Sequence, residues 1–277
     1  MKNYSLLITS CDGFEDVWSP FFTLYEKFWN DQDLDVYLIT EGKVCSYKNL
    51  KIISTCVGVN ESKRLTWSEA FIRSLHKINT DIVLIYMDDF FIKEKVDIEK
   101  INEVARIMNS DNSIDAFYLS VAGPSNCFDD HLYPGFKKVN QFSSYKSSMM
   151  ACMWRKDTLL QILDKTENAW MFELYGTKRC HAMDLNMYKV ASKSLEPIRY
   201  VNTGITKGRW NPEVTQLFDN NHIQVDLMKR GFFEVKNKWI IKYTTFKTLA
   251  KQPRKFFYYY VLYPFYAVAK YMFTSRT

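Results

Sequence analysis

The sequence lacks the patterns that mark a zinc site or an exported protein. It has six cysteines, but no two are spaced Cys-x-x-Cys and no His-x-x-x-His accompanies them, which argues against a zinc site. The N-terminus, MKNYSLLITSCDG, holds an apolar run that is too short for a signal peptide. We therefore expect a cytoplasmic chain whose cysteines stay reduced.

Acidic residues are absent from everything after Glu234. All charged residues of that segment are basic: Lys236, Lys238, Lys242, Lys247, Lys251, Arg254, Lys255, Lys270 and Arg276. Because the net charge of the 277 residues is +6, the part before the segment is slightly acidic. The basic, aromatic tail raises the alternative of a nucleic-acid-binding protein, and the acidic front part argues against it.

Short apolar runs alternate with amphipathic segments in the first half of the chain. We predict strands at 4–10, 36–40, 51–55 and 81–89, with helices at 16–29, 66–78 and 97–109 between or after them. The first helix is expected to start near Pro20, and Thr66 with Glu69 forms a capping box. The alternation predicts an α/β fold with a Rossmann-like mixed, mostly parallel sheet flanked by helices.

The second half of the chain has a less regular pattern. Strands are predicted at 116–121 and 148–155, and the stretch 122–147 between them is interpreted as a loop. Asp157 is expected to cap a helix over 158–165. The stretch 166–180 is interpreted as a compact turn or short helix.

Carboxylates follow two of the predicted strands, at the edge where parallel sheets bind ligands. Asp12 follows the first strand, and Asp88 and Asp89 end the fourth. Two adjacent buried acids are costly unless a divalent cation on a diphosphate uses them. The alternatives are that one of Asp88 and Asp89 caps a following helix or turn while the other is solvated, and that Asp12 belongs to a plain Asp-Gly turn.

A single acid follows an aromatic pair in the segment NAWMFE, residues 168–173. Glu173 is a candidate general base toward a sugar hydroxyl, because burial beside aromatic rings raises a carboxyl pKa. Trp170 and Phe172 are candidates for stacking on the sugar of an acceptor. The alternative is an aromatic core cluster with Glu173 on the surface.

Several of these segments, taken in order, resemble a group of bacterial glycosyltransferases from lipopolysaccharide and capsular polysaccharide gene clusters. The resemblance covers roughly residues 4–180. It rests on SCDGFEDVWSPFF at 10–22, the helix that begins at Trp67, LIYMDDFFI at 84–92, MWRKDTLL at 153–160 and NAWMFELYG at 168–176. It implies a GT-A-like fold and a nucleotide-sugar donor.

The same resemblance implies roles for the acidic residues. Asp88 and Asp89 would hold the donor and a divalent cation, Mg²⁺ or Mn²⁺. Asp12 would lie near the nucleotide, and Glu173 would be the base of an inverting enzyme. The sequence departs from the usual Asp-x-Asp motif, since Phe90 stands at its last position.

The missing acid leaves a metal-independent mechanism open, in which Lys or Arg neutralises the leaving diphosphate. Arg64 is one candidate cation. Lys207 and Arg209 are the preferred pair, because they lie in the glycine-containing loop TGITKGRW at 203–210. The alternative for this loop is that it is simply solvated.

The predicted organisation is a catalytic domain at 1–235 and a basic aromatic tail at 236–277. Within the domain, about 1–120 would hold the donor and about 121–235 the acceptor. The apolar run at 256–273 is interrupted by Pro264 and Lys270 and is short for a membrane span. We expect the tail to lie on the anionic inner face of the cytoplasmic membrane; the alternative is that it packs on the catalytic domain.

The predicted activity follows from these parts. The chain would transfer a sugar to a hydroxyl of a lipid-linked bacterial surface glycan. A catalytically inactive scaffold at the membrane is the remaining alternative, because of the missing acid at Phe90.

Overall fold

The computed structural model describes residues 2–29, 31–234, 251–263 and 265. Its centre is a nine-stranded sheet in the order β3-β2-β1-β4-β8-β5-β9-β7-β6. The strands are β1 (Tyr4–Thr9), β2 (Val36–Leu38), β3 (Ile52–Ser54), β4 (Ile82–Met87), β5 (Ala116–Tyr118), β6 (Cys127–Asp129), β7 (Phe136–Val139), β8 (Cys152–Arg155) and β9 (Met187–Val190). A separate hairpin consists of β10 (Ile205–Thr206) and β11 (Arg209–Trp210).

The strand directions confirm the predicted fold class. Strands β3, β2, β1 and β4 are mutually parallel neighbours. Strands β8 and β7 run against their neighbours, whereas β5, β9 and β6 keep the direction of β1. The sheet is thus mixed and mostly parallel, with helices packed on both faces.

The helices are α1 (Glu15–Phe28), α2 (Trp67–Leu75), α3 (Ile98–Ser110), α4 (Lys156–Ile162), α5 (Ala169–Met171), α6 (Thr177–Ala182) and α7 (Glu213–Asn220). A π-helical turn, Phe172–Gly176, joins α5 to α6. The predicted capping box of Thr66 and Glu69 at α2 is confirmed. Two predicted details were wrong, since α1 begins before Pro20 and Asp157 lies inside the first turn of α4 rather than at its cap.

Two apolar cores lie on opposite faces of the sheet. Along β1, Leu6 and Ile8 belong to one core and Leu7 to the other. Alternate side chains of a strand point to opposite faces, so a strand buried on both faces is apolar throughout. This explains why the first and fourth strands were recognisable as continuous apolar runs.

The predicted loop at 122–147 contains strands β6 and β7, and β9 was not predicted. All three are short, and β9 includes Lys189 although all four of its residues are buried. The Lys189 ammonium donates hydrogen bonds to the carbonyls of Val121 (2.6 Å) and Pro124 (2.7 Å). The free-energy cost of burying this lysine is therefore offset by hydrogen bonds to backbone groups that are distant in sequence. A local pattern cannot reveal such partners.

One part of the predicted tail is described, and it packs against the preceding domain. Residues Pro253–Phe257 are α-helical and Tyr258–Leu262 continue as a π-helical turn; together we call them the tail helix. Lys255 donates to Asp164 (2.6 Å), and Tyr259 stacks on Tyr175 at a centroid distance of 5.0 Å. The remainder of the predicted tail, at 236–250 and at 264 and 266–277, lies outside the described residues. Within the described ranges no helix is long and apolar enough to cross a bilayer.

Candidate functional site

A cavity of about 240 Å³ opens at the carboxyl ends of β1 and β4. These strands are parallel neighbours with Thr9 opposite Met87, so the residues that follow them meet at one edge. The lining residues are Thr9, Ser10, Cys11, Phe14, Trp67, Met87, Asp88, Asp89, Ala169 and Ile205. The two predicted acids therefore share a cavity at the expected ligand edge of the sheet.

Asp88 is held from the β1 side of the cavity. The Ser10 hydroxyl donates to its Oδ2 (2.5 Å), and the indole N–H of Trp18 donates to the Ser10 hydroxyl (2.7 Å). Burial and then the neighbouring Asp89 raise the pKa of Asp88 well above its usual range. A buried carboxyl with so few donors favours its neutral form unless a cation joins it.

Asp89 is held from the other side, by the loop before the β10–β11 hairpin. The backbone N–H of Ile205 donates to its Oδ2 (3.2 Å), and the N–H of Gly204 donates to its carbonyl oxygen (2.8 Å). A Cβ at Gly204 would lie 2.3 Å from the ring of Phe91, so only glycine fits here. The Oδ1 atom of Asp89 is buried and has no hydrogen-bond partner within the described part of the chain. Burial raises the pKa of this carboxyl to about 6.

The carboxylates of Asp88 and Asp89 suit a hard cation whose other ligands come from a bound phosphate and water. No three His, Cys, Asp or Glu side chains converge on a metal-sized site within the described ranges. Mg²⁺ in phosphate-handling sites is commonly held by one or two carboxylates together with phosphate oxygens and water. The unpartnered oxygen of Asp89 beside Asp88 fits that arrangement.

The cavity continues into a groove past Cys11 and Trp67 to Arg64. Its middle part has a volume of about 220 Å³ and its outer part about 430 Å³, and Arg64 and Glu41 line both. Asp12 and Lys63 line the outer part only. The structure thus brings Arg64 and Asp12 to one groove that leads to Asp88 and Asp89.

Asp12 has a structural task within this groove. Its carboxylate accepts hydrogen bonds from the backbone N–H groups of Glu41 (2.9 Å), Gly42 (2.9 Å) and Lys43 (3.1 Å). Its own N–H donates to the Glu41 carboxylate (2.5 Å). Asp12 therefore joins the loop after β1 to the loop after β2 and shapes the groove wall, which is more than a plain Asp-Gly turn does.

Arg230 is a cation of the site that sequence reasoning missed. Its guanidinium donates to both Asp16 oxygens (2.7 and 2.5 Å) and to the Gly13 carbonyl (2.9 Å), and it lies 4.6 Å from the centroid of Phe14. Phe14 lines the cavity, and the charge of Arg230 lowers the pKa of Asp88 against the effect of burial. No local motif marks Arg230, because its partner Asp16 is 214 residues away.

The predicted pair Lys207 and Arg209 lies on the hairpin, and both side chains are exposed. Lys207 and Gly208 have φ angles of 51° and 78° and form the tight turn. Neither Lys207 nor Arg209 lines the cavity or the groove. It is the glycine-containing start of this loop, at Gly204 and Ile205, that contacts Asp89.

The segment that carries Glu173 forms another wall of the site. Ala169 lines the cavity, and Glu173 follows four residues later in the same helical run, which places the two about one turn apart on similar faces. Glu173 accepts from the Met149 N–H (2.8 Å) and the Ser148 hydroxyl (3.3 Å), and burial raises its pKa. Glu173 does not itself line the cavity.

The two aromatic residues before Glu173 have different environments. Trp170 is 45% exposed and has a ring surface open to a ligand. Phe172 is 1% exposed and packs in the core against Trp67, at a centroid distance of 5.8 Å. Phe172 therefore has a packing position in the core, whereas the Trp170 side chain is accessible to solvent.

Comparisons with known proteins give weak structural likenesses. No family model and no curated protein matches the sequence. The match to a crystal structure of S. aureus TarS, residues 1–349, covers 93% of this chain and 72% of the TarS chain. The sequence identity is 14% and the TM-score is 0.46. Glucosyl-3-phosphoglycerate synthase from Mycobacterium tuberculosis, in complex with Mn²⁺ and UDP-glucose, covers 84% and 80% at 10% identity, with a TM-score of 0.44.

A third likeness is to Drosophila β1,4-galactosyltransferase 7, in complex with manganese, UDP-galactose and xylobiose. It covers 88% of this chain and 79% of its own at 11% identity, with a TM-score of 0.40. At such identities and scores these likenesses carry no argument about activity, and the functional assignment rests on the site.

Proposed function

We propose that this chain is a glycosyltransferase with a GT-A-like catalytic domain and a nucleotide-sugar donor. The observation that carries the proposal is Asp89, a buried carboxylate with one oxygen that no described residue contacts by a hydrogen bond. It lies beside Asp88 in a cavity at the carboxyl edge of a mostly parallel sheet. An uncompensated pair of buried acids costs stability, so a cationic ligand complex is the natural occupant of such a site.

The groove supplies the binding surface for the rest of the donor. It runs from Asp88 past Cys11 to Arg64 and offers room for an extended ligand. In this proposal the nucleoside lies in the outer groove that Asp12 shapes, and the diphosphate lies toward Asp88. Arg64 and Lys63 line this path, and Arg230 packs on Phe14 of the cavity. Lys207 and Arg209 line neither the cavity nor the groove.

Asp88 and Asp89 would hold a divalent cation on the diphosphate. When bound, such a cation supplies charge neutralisation for the leaving group. A metal-independent form of the proposal assigns that neutralisation to Arg230 and Arg64. The two forms make different predictions for binding in the presence of a chelator.

The transfer exchanges one carbon–oxygen bond for another. The acceptor hydroxyl oxygen bonds to the anomeric carbon, and the bond from that carbon to the diphosphate oxygen breaks with its electron pair leaving on the diphosphate. Glu173 takes the hydroxyl proton in an inverting version of the reaction. Its raised pKa makes it a better base than an exposed glutamate, and its position one turn after Ala169 sets it next to the cavity wall.

The acceptor is the least constrained part of the proposal. Trp170, exposed beside Ala169, provides a ring on which a sugar would stack. The resemblance in the sequence favours a lipid-linked surface glycan at the inner face of the bacterial membrane. The proposed halves of the domain, about 1–120 for the donor and about 121–235 for the acceptor, share the one sheet.

The first test is thermal unfolding of the purified chain with UDP, GDP, CMP and dTDP sugars, each with Mn²⁺, Mg²⁺ or EDTA. A ligand that binds only the folded state stabilises it and so raises the unfolding temperature. The stabilisation is about 2.7 kcal/mol when the ligand is at a hundredfold excess over Kd. We expect one nucleotide class to give a selective rise. A rise that EDTA removes supports Asp88 and Asp89 as cation ligands, and no rise with any donor would contradict the proposal.

A second test addresses the proposed base. Glu173→Gln should keep donor binding and lose about 100-fold or more in turnover, since general base catalysis is worth about that much. Glu213→Gln, an exposed acid at the start of α7, is the matched control and should leave turnover unchanged. Normal turnover in Glu173→Gln would remove Glu173 from this role.

A further inference from the structure

The tail helix presents an apolar surface to solvent while its other face is bound to the protein. Four outward side chains of this helix, together with Phe265 just after it, are 39–74% exposed. They form what we call the apolar face: Phe257, Tyr258, Val261, Leu262 and Phe265. Tyr263 on the inward side is 5% exposed. Five large apolar side chains exposed on one side of a docked helix are a candidate contact surface for a partner.

The inward side is fixed by a buried cluster of charges. Lys255 donates to Asp164 (2.6 Å) and Glu167 (3.2 Å), and Arg179 donates to both oxygens of Glu167 (2.9 and 2.5 Å). The Glu167 side chain is fully buried. Arg179 also donates to the Tyr259 hydroxyl (3.3 Å). The tail helix therefore sits in a defined orientation, and its apolar face cannot turn inward without breaking this cluster.

Charge decides between the partners that an apolar face would fit. Lys251 and Arg254 are exposed at the start of the tail helix, and no acid occurs after Glu234. A second copy of this chain docked by a two-fold axis would bring like charges together. An anionic lipid surface instead attracts each Lys or Arg near it, and tyrosine side chains favour the interface.

We propose that the apolar face inserts into the headgroup region of an anionic bilayer and that the Glu167–Arg179–Lys255 cluster sets the orientation of the catalytic domain on it. The cluster and Ala169 lie on the same stretch, 167–179, so the lipid-bound helix and the cavity wall are parts of one connected unit. This inference rests on the proposed function only for its purpose, which is to present the cavity to an acceptor held at the membrane.

The test is co-flotation of the full chain with vesicles of phosphatidylglycerol and phosphatidylcholine, and with vesicles of phosphatidylcholine alone. We expect binding to the anionic vesicles that weakens as salt is raised. The double variant Val261→Ser/Leu262→Ser should bind at least about tenfold more weakly, because two apolar side chains no longer leave water. The matched control, Val44→Ser/Leu132→Ser, removes similar exposed side chains elsewhere and should bind within about twofold of the parent.

Three outcomes would overturn the inference. They are no binding of the parent chain to anionic vesicles, equal binding of the parent and the Val261→Ser/Leu262→Ser variant, and a parent dimer by light scattering that this variant dissociates while vesicle binding is absent. The assay needs no nucleotide, so its failure is separate from failure of the donor screen. Circular dichroism of the variants checks that the fold is kept.

Discussion

Carboxylates are buried both beside the tail helix and at the end of β4, and the two groups differ in whether a cation neutralises them. Glu167 is fully buried and is paired with Arg179 and Lys255. Asp88 and Asp89 are also buried, yet among the described residues no cation forms an ion pair with either of them, and one oxygen of Asp89 has no partner there. The pKa of Asp89 is raised to about 6 as a result.

The contrast separates structural acids from functional ones. A buried acid whose charge is satisfied inside the protein holds two segments together, as Glu167 holds the tail helix on α6. A buried acid that the protein leaves unsatisfied costs stability in the free state and is retained where a ligand supplies the missing charge. Under the proposed function, Asp88 and Asp89 at the end of β4 belong to the second kind.

Removing the cation of the satisfied pair should have the largest effect on stability. Arg179→Met leaves Glu167 buried without its bidentate partner, and breaking such a pair costs about 3–5 kcal/mol. Urea unfolding monitored by circular dichroism measures this loss. The control Arg199→Met removes an exposed pair with Glu94 and should cost about 1 kcal/mol or less; similar losses in the two variants would contradict the contrast.

Neutralising Asp89, the unsatisfied acid, should instead raise the free energy of unfolding. Burial raises the pKa of Asp89 from 3.8 to about 6, so the folded state holds this proton more tightly than the unfolded state does. Stability is then lost as pH rises from about 4 through 6, by roughly 1–3 kcal/mol. Asp89→Asn should recover that amount at pH 8 and change little near pH 4, while turnover is lost.

Thermal unfolding of Asp89→Asn across this pH range, without ligand, makes the measurement. The exposed acid Asp157 supplies the control, as Asp157→Asn should show no such pH-dependent gain. A destabilised Asp89→Asn at pH 8 would mean that the carboxylate is satisfied in the free protein.

Arg230 provides a further test, because its positive charge lowers the pKa of Asp88. Arg230→Gln should weaken the binding of a nucleoside diphosphate about tenfold or more, equivalent to about 1.4 kcal/mol, and leave the binding of the nucleoside unchanged. Isothermal titration with UDP and uridine, or with the base that the donor screen selects, measures both. Lys229→Gln changes the neighbouring cation and is the control; equal UDP affinity in parent and Arg230→Gln would exclude this role.

The pH dependence of donor binding should show the smallest effect. A cation on Asp89 requires the ionised carboxylate, and a pKa of about 6 leaves the group mostly charged at pH 7 and mostly protonated at pH 5. Binding of the donor with Mn²⁺ should therefore fall about tenfold from pH 7 to pH 5. A flat profile would indicate that Asp89 is not a cation ligand.

Local patterns predicted the parts of this fold that depend on neighbours in sequence. The capping box at Thr66 and Glu69 and the apolar strands β1 and β4 were visible because each is formed within a few residues. Strand β9 was missed, since Lys189 is satisfied by carbonyls 65 and 68 residues away. Phe172 was misplaced for a related reason, as burial against Trp67 depends on the packing of two distant helices.

The strands and helices of the first half, and the two acids at the end of β4, were determined by the sequence itself. Apolar periodicity specifies which segments are buried, and a strand's last residues emerge at its carboxyl edge. Which charges are satisfied was decided only by the tertiary structure. Lys255 reaches Glu167 and Arg230 reaches Asp16 across 88 and 214 residues. For one oxygen of Asp89, the residues that the structure describes provide no such long-range partner.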